Sequence, residues 1–306
     1  MNIERNLKQL VILSFPEYQD PAYRLSEELG VAVEIVEIHH FPDGESLVKL
    51  PKNLPKKVAF LRSLDSPNDK LIELMLAAET ARSLGVDHLT LIAPYLCYMR
   101  QDIAFHEGEA VSQQIIGRFL ARHFDSLITI SPHLHRTHSL TSIVPEKKSV
   151  VLNPFPQIAA FLKQNTPDAL LLGPDEESEQ WVSQLAKIND QEYSIAQKLR
   201  SGDTSVSIAL PKALFRDREV VIVDDIVSTG RTLIEVASSV AKKQPKKICA
   251  FAIHPLFVDG TLELILQGPI SAIWSCDTIV HSTNSVYTAT PVSEALSSSD
   301  IWDIPG

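Results

Sequence analysis

Short apolar runs alternate along this chain with stretches in which apolar residues recur at helical spacing. That alternation limits the fold more than any other feature. Runs such as "KKVAFLRSL", "DHLTLIAPYL", "DSLITI", "DALLLG", "EVVIVDD" and "KKICAFAI" are too uniformly apolar for strands with one wet face, so they belong in parallel sheets covered by helices on both sides. The covering helices are expected in "KLIELMLAAETARSLG", "EAVSQQIIGRFLARHF", "ESEQWVSQLAKI" and "TLIEVASSVAKK", the first closing at Gly85. "VAVEIVEI" and "SVSIAL" read as further strands.

The pattern occurs twice. A length of 306 residues also favours two domains over one. Proline and charge cluster without helical periodicity in "TSIVPEKKSVVLNPFP". The expected fold is therefore α/β, two similar domains with mainly parallel sheets flanked by helices, 1–147 and 148–306. "AIWSCDTIVHST" fits either domain. The end of the chain, "SEALSSSDIWDIPG", reads as a surface extension unless Ile301 and Trp302 anchor it.

With 38 acidic against 28 basic residues, the formal charge of -10 gives no general attraction to nucleic acid or an anionic membrane. Apolar runs stop well short of a membrane span, and "MNIERNLKQL" lacks a leader pattern. A cytoplasmic protein acting on small molecules is expected. Cys97, Cys249 and Cys276, odd in number and widely spaced, read as buried thiols in a reducing compartment.

"VVIVDDIVSTGRT", Val220 to Thr232, is the most informative stretch. A parallel strand ends at the mouth of a ligand crevice, so Asp224 and Asp225 fall where binding groups stand. The following loop has many backbone donors and little bulk, and it runs into a helix N-terminus, a combination that cradles phosphate. The carboxylates would repel that phosphate directly, and they suit sugar hydroxyls or a magnesium ion instead. The same residues also suit a plain strand end with a capped turn. There is no Walker A arrangement, and no G-x-G-x-x-G follows a strand.

This stretch resembles the phosphoribosyl-pyrophosphate signature of the type I phosphoribosyltransferase fold, and the chain as a whole resembles the ribose-phosphate diphosphokinase family. "FPDGE" at Phe41 to Glu45 is similar to the family's F-S-D-G-E loop, and "PYLCYMRQD" to its P-Y-x-x-Y-x-R-Q-D stretch. "GEAVSQQIIGRFL" resembles the helix that follows, and "ITISPHLH" stands where the family has V-D-x-H. The resemblance runs from about Val31 to about Ile265.

It implies transfer of the diphosphoryl group of ATP to the 1-hydroxyl of ribose 5-phosphate, with Mg2+ as cofactor and ATP as co-substrate. Lys198 and Arg200 of "AQKLRSGD" would be catalytic; an extended K-x-R puts both cations on one side. Asp224 and Asp225 would bind the ribose hydroxyls, with Ser228, Thr229, Gly230 and Thr232 around the 5-phosphate. Arg231, where a small residue is common, would reach the phosphate or project to solvent. Phe41, Asp43, Glu45, Arg100 and Gln101 would hold ATP, and His133 would stand beside the metal. A homo-oligomer, dimer or hexamer, is implied as well.

Three departures from the family pattern stand out. Ser131 replaces the aspartate of V-D-x-H, "RQDIAFHEGE" lacks the usual basic residues after R-Q-D, and "PDEESEQW" is acidic where a glycine-rich loop is usual. They leave room for a catalytically weak regulatory homologue; a phosphoribosyltransferase acting on a base would also use the Asp224 to Thr232 loop. His133, His135 and His138 would permit a zinc site, although Glu146 is the next carboxylate along the chain.

Overall fold

A computed structural model describes residues 10–302 except 135, 138, 146 and 202–204, and it leaves the side chains of 198–201, 205–207, 299 and 300 undescribed. The chain divides into two compact units, one running through Asn153 and resuming at Thr288, the other Pro154–Tyr287.

The first unit contains β1 (Leu10–Ser14), α1 (Gln19–Leu29), β2 (Ala32–Ile35), β3 (Glu37–His40), β4 (Ser46–Lys49), β5 (Lys57–Leu61), α2 (Pro67–Ser83), β6 (His88–Ala93), α3 (Ser112–His123), β7 (Ser126–Ile130) and β8 (Lys148–Leu152). Its six-stranded sheet has the order β2-β1-β5-β6-β7-β8, with every pairing parallel. β1 and β6 are buried at every position, as a sheet covered on both faces requires. α2 opens on Pro67, whose fixed φ suits a first turn, and the chain turns out of it through Gly85 at φ +87°.

The second unit repeats the plan with α4 (Phe155–Asn165), β9 (Leu170–Gly173), α5 (Glu179–Asn189), β10 (Tyr193–Ile195), β11 (Gln197–Ser201), β12 (Ser205–Ala209), β13 (Glu219–Ile226), α6 (Arg231–Ala241), β14 (Lys247–His254), α7 (Thr261–Leu266), β15 (Ala272–Cys276) and β16 (Asn284–Val286). Its sheet order, β10-β9-β13-β14-β15-β16, is again parallel throughout. In each unit an antiparallel hairpin, β3–β4 or β11–β12, follows the edge strand and lies outside the main sheet.

Four expectations are corrected. "VAVEIVEI" is two strands in two sheets: the fully buried Val36 makes the last bond to β1, its N–H donating to the Ser14 carbonyl at 2.8 Å, and from Glu37 the chain pairs with β4 instead. "SVSIAL" is a hairpin arm and not a strand of the main sheet. The boundary expected after residue 147 falls after 153, since β8 pairs with β7. The end of the chain is no loose extension: α8 (Ala289–Ser297) packs on α1, returning the chain to the first unit. "AIWSCDTIVHST" supplies β15 of the second unit.

Ile301 and Trp302 are buried beyond α8. The Ser126 hydroxyl donates to the Ile301 carbonyl at 2.8 Å, and the Trp302 indole donates to that of Leu296 at 2.9 Å. The Trp302 ring lies 5.4 Å from that of His88, centroid to centroid. Trp302→Ala is expected to cost about 3–5 kcal/mol through the cavity it leaves, measured by urea unfolding.

All three cysteines are free and buried. Burial pushes the Cys97 thiol up to about 12, the pattern of packing residues rather than reactive ones.

Candidate active site

β13 carries the acidic pair to the carboxyl end of the second sheet, beside β9 and β14. Asp224 Oδ1 accepts from the Asp225 N–H at 3.0 Å, and Asp225 Oδ1 from the Ile226 N–H at 2.7 Å, so both carboxylates curl over the strand end. Asp225 is buried and Asp224 half-buried. Burial, then the charge of Asp225, then that of Asp175 push the Asp224 carboxyl well above the ordinary carboxylate range. The acidic loop is thereby resolved into two groups. Asp175 acts on Asp224, while Glu176, Glu177 and Glu179 are exposed.

The loop Val227–Gly230 then enters α6. Val227 donates its N–H to the His254 carbonyl at 3.2 Å, and the Ser228 carbonyl accepts from Val258 at 3.3 Å, which braces the loop against the segment following β14. Gly230 caps α6 at φ +68°, and a Cβ there would meet Ile265 side-chain carbons at 3.0 Å. Both the backbone angle and the tight contact thus disfavour a side chain. Gly230→Ala is expected to lower stability by about 1–3 kcal/mol, read by denaturant unfolding. Ser228 and Thr232 are half-buried, whereas Thr229 and Arg231 are exposed.

Lys198 and Arg200 fall in β11, opposite Ile208 and Val206 of β12. Their backbone is extended, as the K-x-R reading requires, and their side chains lie outside the described residues.

In the first unit, Arg100 closes the turn 97–100 beyond β6, and Gln101 follows it. Gln113 of α3 clamps this turn: its side-chain amide donates to the Met99 carbonyl at 3.1 Å and its N–H to that of Gln101 at 3.1 Å. The Gln101 amide donates to the Ile103 carbonyl at 2.9 Å, and Arg100 is exposed. Asp102 pairs with Arg136 at 2.8 Å. Ser131 sits just past β7 at φ +37°, a conformation uncommon outside glycine, with its N–H on the Leu152 carbonyl at 2.8 Å. Half-buried His133 lies two residues on. Phe41, Asp43 and Glu45 are all exposed on the β3–β4 turn.

His135 and His138 lie outside the described residues. Among the described residues no three His, Cys, Asp or Glu side chains form a ready metal cage. The donors fit a magnesium ion that takes most of its oxygens from phosphates and one or two from protein. The mutual repulsion of Asp175, Asp224 and Asp225 is the feature a cation would relieve.

Sequence reasoning missed two groups. Asp175 carried no signal apart from its loop. The buried pair Arg62 and Glu73, with exposed Glu17 also on Arg62, joins three separate segments of the first unit, so no local pattern marks it.

Comparison with known proteins bears on the assignment. The N-terminal domain of ribose phosphate pyrophosphokinase matches residues 10–123, and the phosphoribosyl transferase domain matches residues 157–263. The chain is 33% identical over 273 residues to the ribose-phosphate pyrophosphokinase of Sulfurisphaera tokodaii, covering 87% of this chain and 92% of that one. It is 29% identical over 290 residues to that of Methanopyrus kandleri, covering 94% and 98%. Phosphoribosylpyrophosphate synthetase from Mycobacterium smegmatis shares the fold, with a TM-score of 0.79 at 16% identity over 94% of this chain and 97% of that one. Fold and strand-end loop therefore define a protein of the phosphoribosyltransferase class. Within that class, the chain belongs to the ribose-phosphate pyrophosphokinase family.

Proposed function

We propose that the protein is a ribose-phosphate diphosphokinase, carrying the diphosphoryl group of ATP to the 1-hydroxyl of ribose 5-phosphate and releasing AMP. The observation that carries this reading is the match to whole ribose-phosphate pyrophosphokinases, with an exposed "FPDGE" turn, an exposed Arg100 and the Asp224–Gly230 strand end all present in one chain. A transferase acting on a base would have no use for the first two.

In the reaction the sugar O1 forms a bond to the β-phosphorus, the bond from that phosphorus to the α,β-bridging oxygen breaks, and the hydroxyl proton is lost. The protein's task is alignment and charge neutralisation. Asp224 and Asp225 accept hydrogen bonds from the ribose hydroxyls, and Ser228, Thr229, Gly230 and Thr232 surround the 5-phosphate at the start of α6. Arg231, exposed at the first position of α6, adds a positive charge on the same side. Phe41, Asp43, Glu45, Arg100 and Gln101 hold the nucleotide; a guanidinium stacks on a base or forks onto phosphate. Lys198 and Arg200 offset charge on the group in flight. Mg2+, with His133 beside it, would neutralise and orient the phosphates.

The exposed Leu47 of β4 and the exposed Ile72 and Leu76 of α2 support a homo-oligomer, because apolar side chains four apart on a helix form a patch that favours cover. Sedimentation at micromolar concentration is expected to show a dimer or larger; a monomer with full activity would rule this out. Among the described residues no helix is long and apolar enough to cross a membrane, which accords with a cytoplasmic enzyme acting on small molecules. The activity is tested by incubating the protein with ATP, magnesium and ribose 5-phosphate. AMP formation that depends on the sugar phosphate is expected, and its absence would refute the reading.

A further inference from the structure

The Phe41–Glu45 turn is exposed at every residue and holds itself with few bonds. Phe41 N–H donates to the Glu45 carbonyl at 2.8 Å, Gly44 N–H to the Phe41 carbonyl at 2.9 Å, and Glu45 N–H to Asp43 Oδ1 at 3.2 Å. A two-stranded hairpin is marginal by itself in water, so the direction in which this turn points has to be fixed from outside.

One buried carboxylate supplies the attachment. His40 and Ser46 are the cross-strand pair that closes the turn, and both side chains reach the same oxygen of Glu73, His40 Nε2 at 2.7 Å and the Ser46 hydroxyl at 3.0 Å. Glu73 itself is 1% exposed on α2. Its other oxygen accepts from Arg62 Nη2 at 2.5 Å. Arg62, equally buried at the end of β5, also donates to Glu17 at 2.7 Å and to the Lys70 carbonyl at 3.2 Å, and it lies 3.9 Å over the Phe15 ring. The base of the turn is thus tied through a single side chain to the carboxyl ends of β1 and β5.

We infer that Glu73 is a positioning residue for nucleotide binding: it grips the closing pair of the Phe41–Glu45 turn and so presents Phe41, Asp43 and Glu45 to a nucleoside triphosphate. This rests on the reading of those three residues given above. Arg62 is the buried cation on one oxygen of Glu73, and the bonds from His40 and Ser46 to the other oxygen serve the hairpin. Burial pushes the Glu73 carboxyl up, but the bonds from Arg62, His40 and Ser46 outweigh it and hold the group below its ordinary range, which keeps it an acceptor at neutral pH.

Glu73→Gln would disturb the Arg62 pair and with it the fold, so the test uses His40→Ala with Ser46→Ala, which leaves Glu17, Arg62 and Glu73 intact. The KM for ATP is expected to rise tenfold or more, with kcat and the KM for ribose 5-phosphate within threefold of the native enzyme and the melting temperature little changed. His40→Gln with Ser46→Thr, which restores two donors, should recover most of the ATP affinity. An ATP KM within twofold of native in the folded alanine variant would overturn the inference, as would an equal rise in both KM values. Calorimetric titration with a non-hydrolysable ATP analogue separates this from the activity assignment. If the native protein makes no product but binds the analogue, tenfold weaker binding in the alanine variant still supports the positioning role, and equal binding refutes it. A native protein that does not bind the analogue sinks both.

Discussion

Replacing Lys198 by alanine should lower turnover about a hundredfold or more while the KM values for ATP and ribose 5-phosphate move little. The expectation follows from what diphosphoryl transfer demands. Charge spreads over the oxygens of the group in flight, and a cation fixed beside it contributes most in the transition state. Lys198 stands in β11 two residues before Arg200, and that strand is paired along its length with β12. A paired strand holds its backbone in register, so both residues start from a fixed frame. Arg200→Ala should act in the same direction. The double variant should lose less than the product of the two single losses, because neighbouring charges serving one group are not additive. Steady-state kinetics checks this, and near-native turnover in Lys198→Ala would remove the catalytic role.

Converting Asp224 and Asp225 together to asparagine should abolish measurable ribose 5-phosphate binding at concentrations that saturate the native protein, while making the empty protein more stable. Two effects of opposite sign meet at this strand end. On the proposed reading the carboxylates accept from the ribose hydroxyls, yet burial and the charges of Asp225 and Asp175 oppose ionisation of Asp224. A carboxyl whose pKa is raised on folding keeps its proton in the native state at a pH where the unfolded chain has lost it. Stability contributed at low pH is therefore lost as pH rises from the ordinary carboxylate range through the raised pKa of Asp224. Urea unfolding of the native protein across that window should show falling stability with rising pH. The double variant should be flatter and, at neutral pH, more stable. Unchanged calorimetric affinity for ribose 5-phosphate in the double variant would overturn the binding assignment.

How much of this could be read from the sequence depended on how local each feature is. Strands buried on both faces, such as β6 and β13, announce themselves as apolar runs, and helices such as α2 by their spacing and terminal proline and glycine. The Asp224–Thr232 loop was legible because strand end, loop and helix start are contiguous. "VAVEIVEI" misled because its apolar alternation continues through Val36, where the chain leaves one sheet for another; only the change of tertiary partner, from Ser14 of β1 to Lys49 of β4, marks the break. "SVSIAL" has the composition of a sheet strand, but its partner is the adjacent β11. α8 is short and small-sided, and what returns it to the first unit is packing on α1 together with bonds from Thr290 and Ser293 to Glu28, more than 260 positions away. The grip of Glu73 on His40 and Ser46 was invisible for the same reason, since its members come from different elements and share no motif. The acidic loop misled by composition. Three of its carboxylates are exposed, and Asp175 is the one that acts on the site.

The central claim is that both outer phosphates of ATP move together onto the anomeric oxygen of ribose 5-phosphate. Phosphorus NMR of a reaction containing the protein, ATP, magnesium and ribose 5-phosphate tests it most directly, because it sees every phosphorus at once. The account predicts AMP and a sugar-linked diphosphate appearing in equal amounts, with no ADP and no free phosphate. ADP with a singly phosphorylated anomeric position, or an unchanged spectrum from a protein that still binds ribose 5-phosphate, would contradict it.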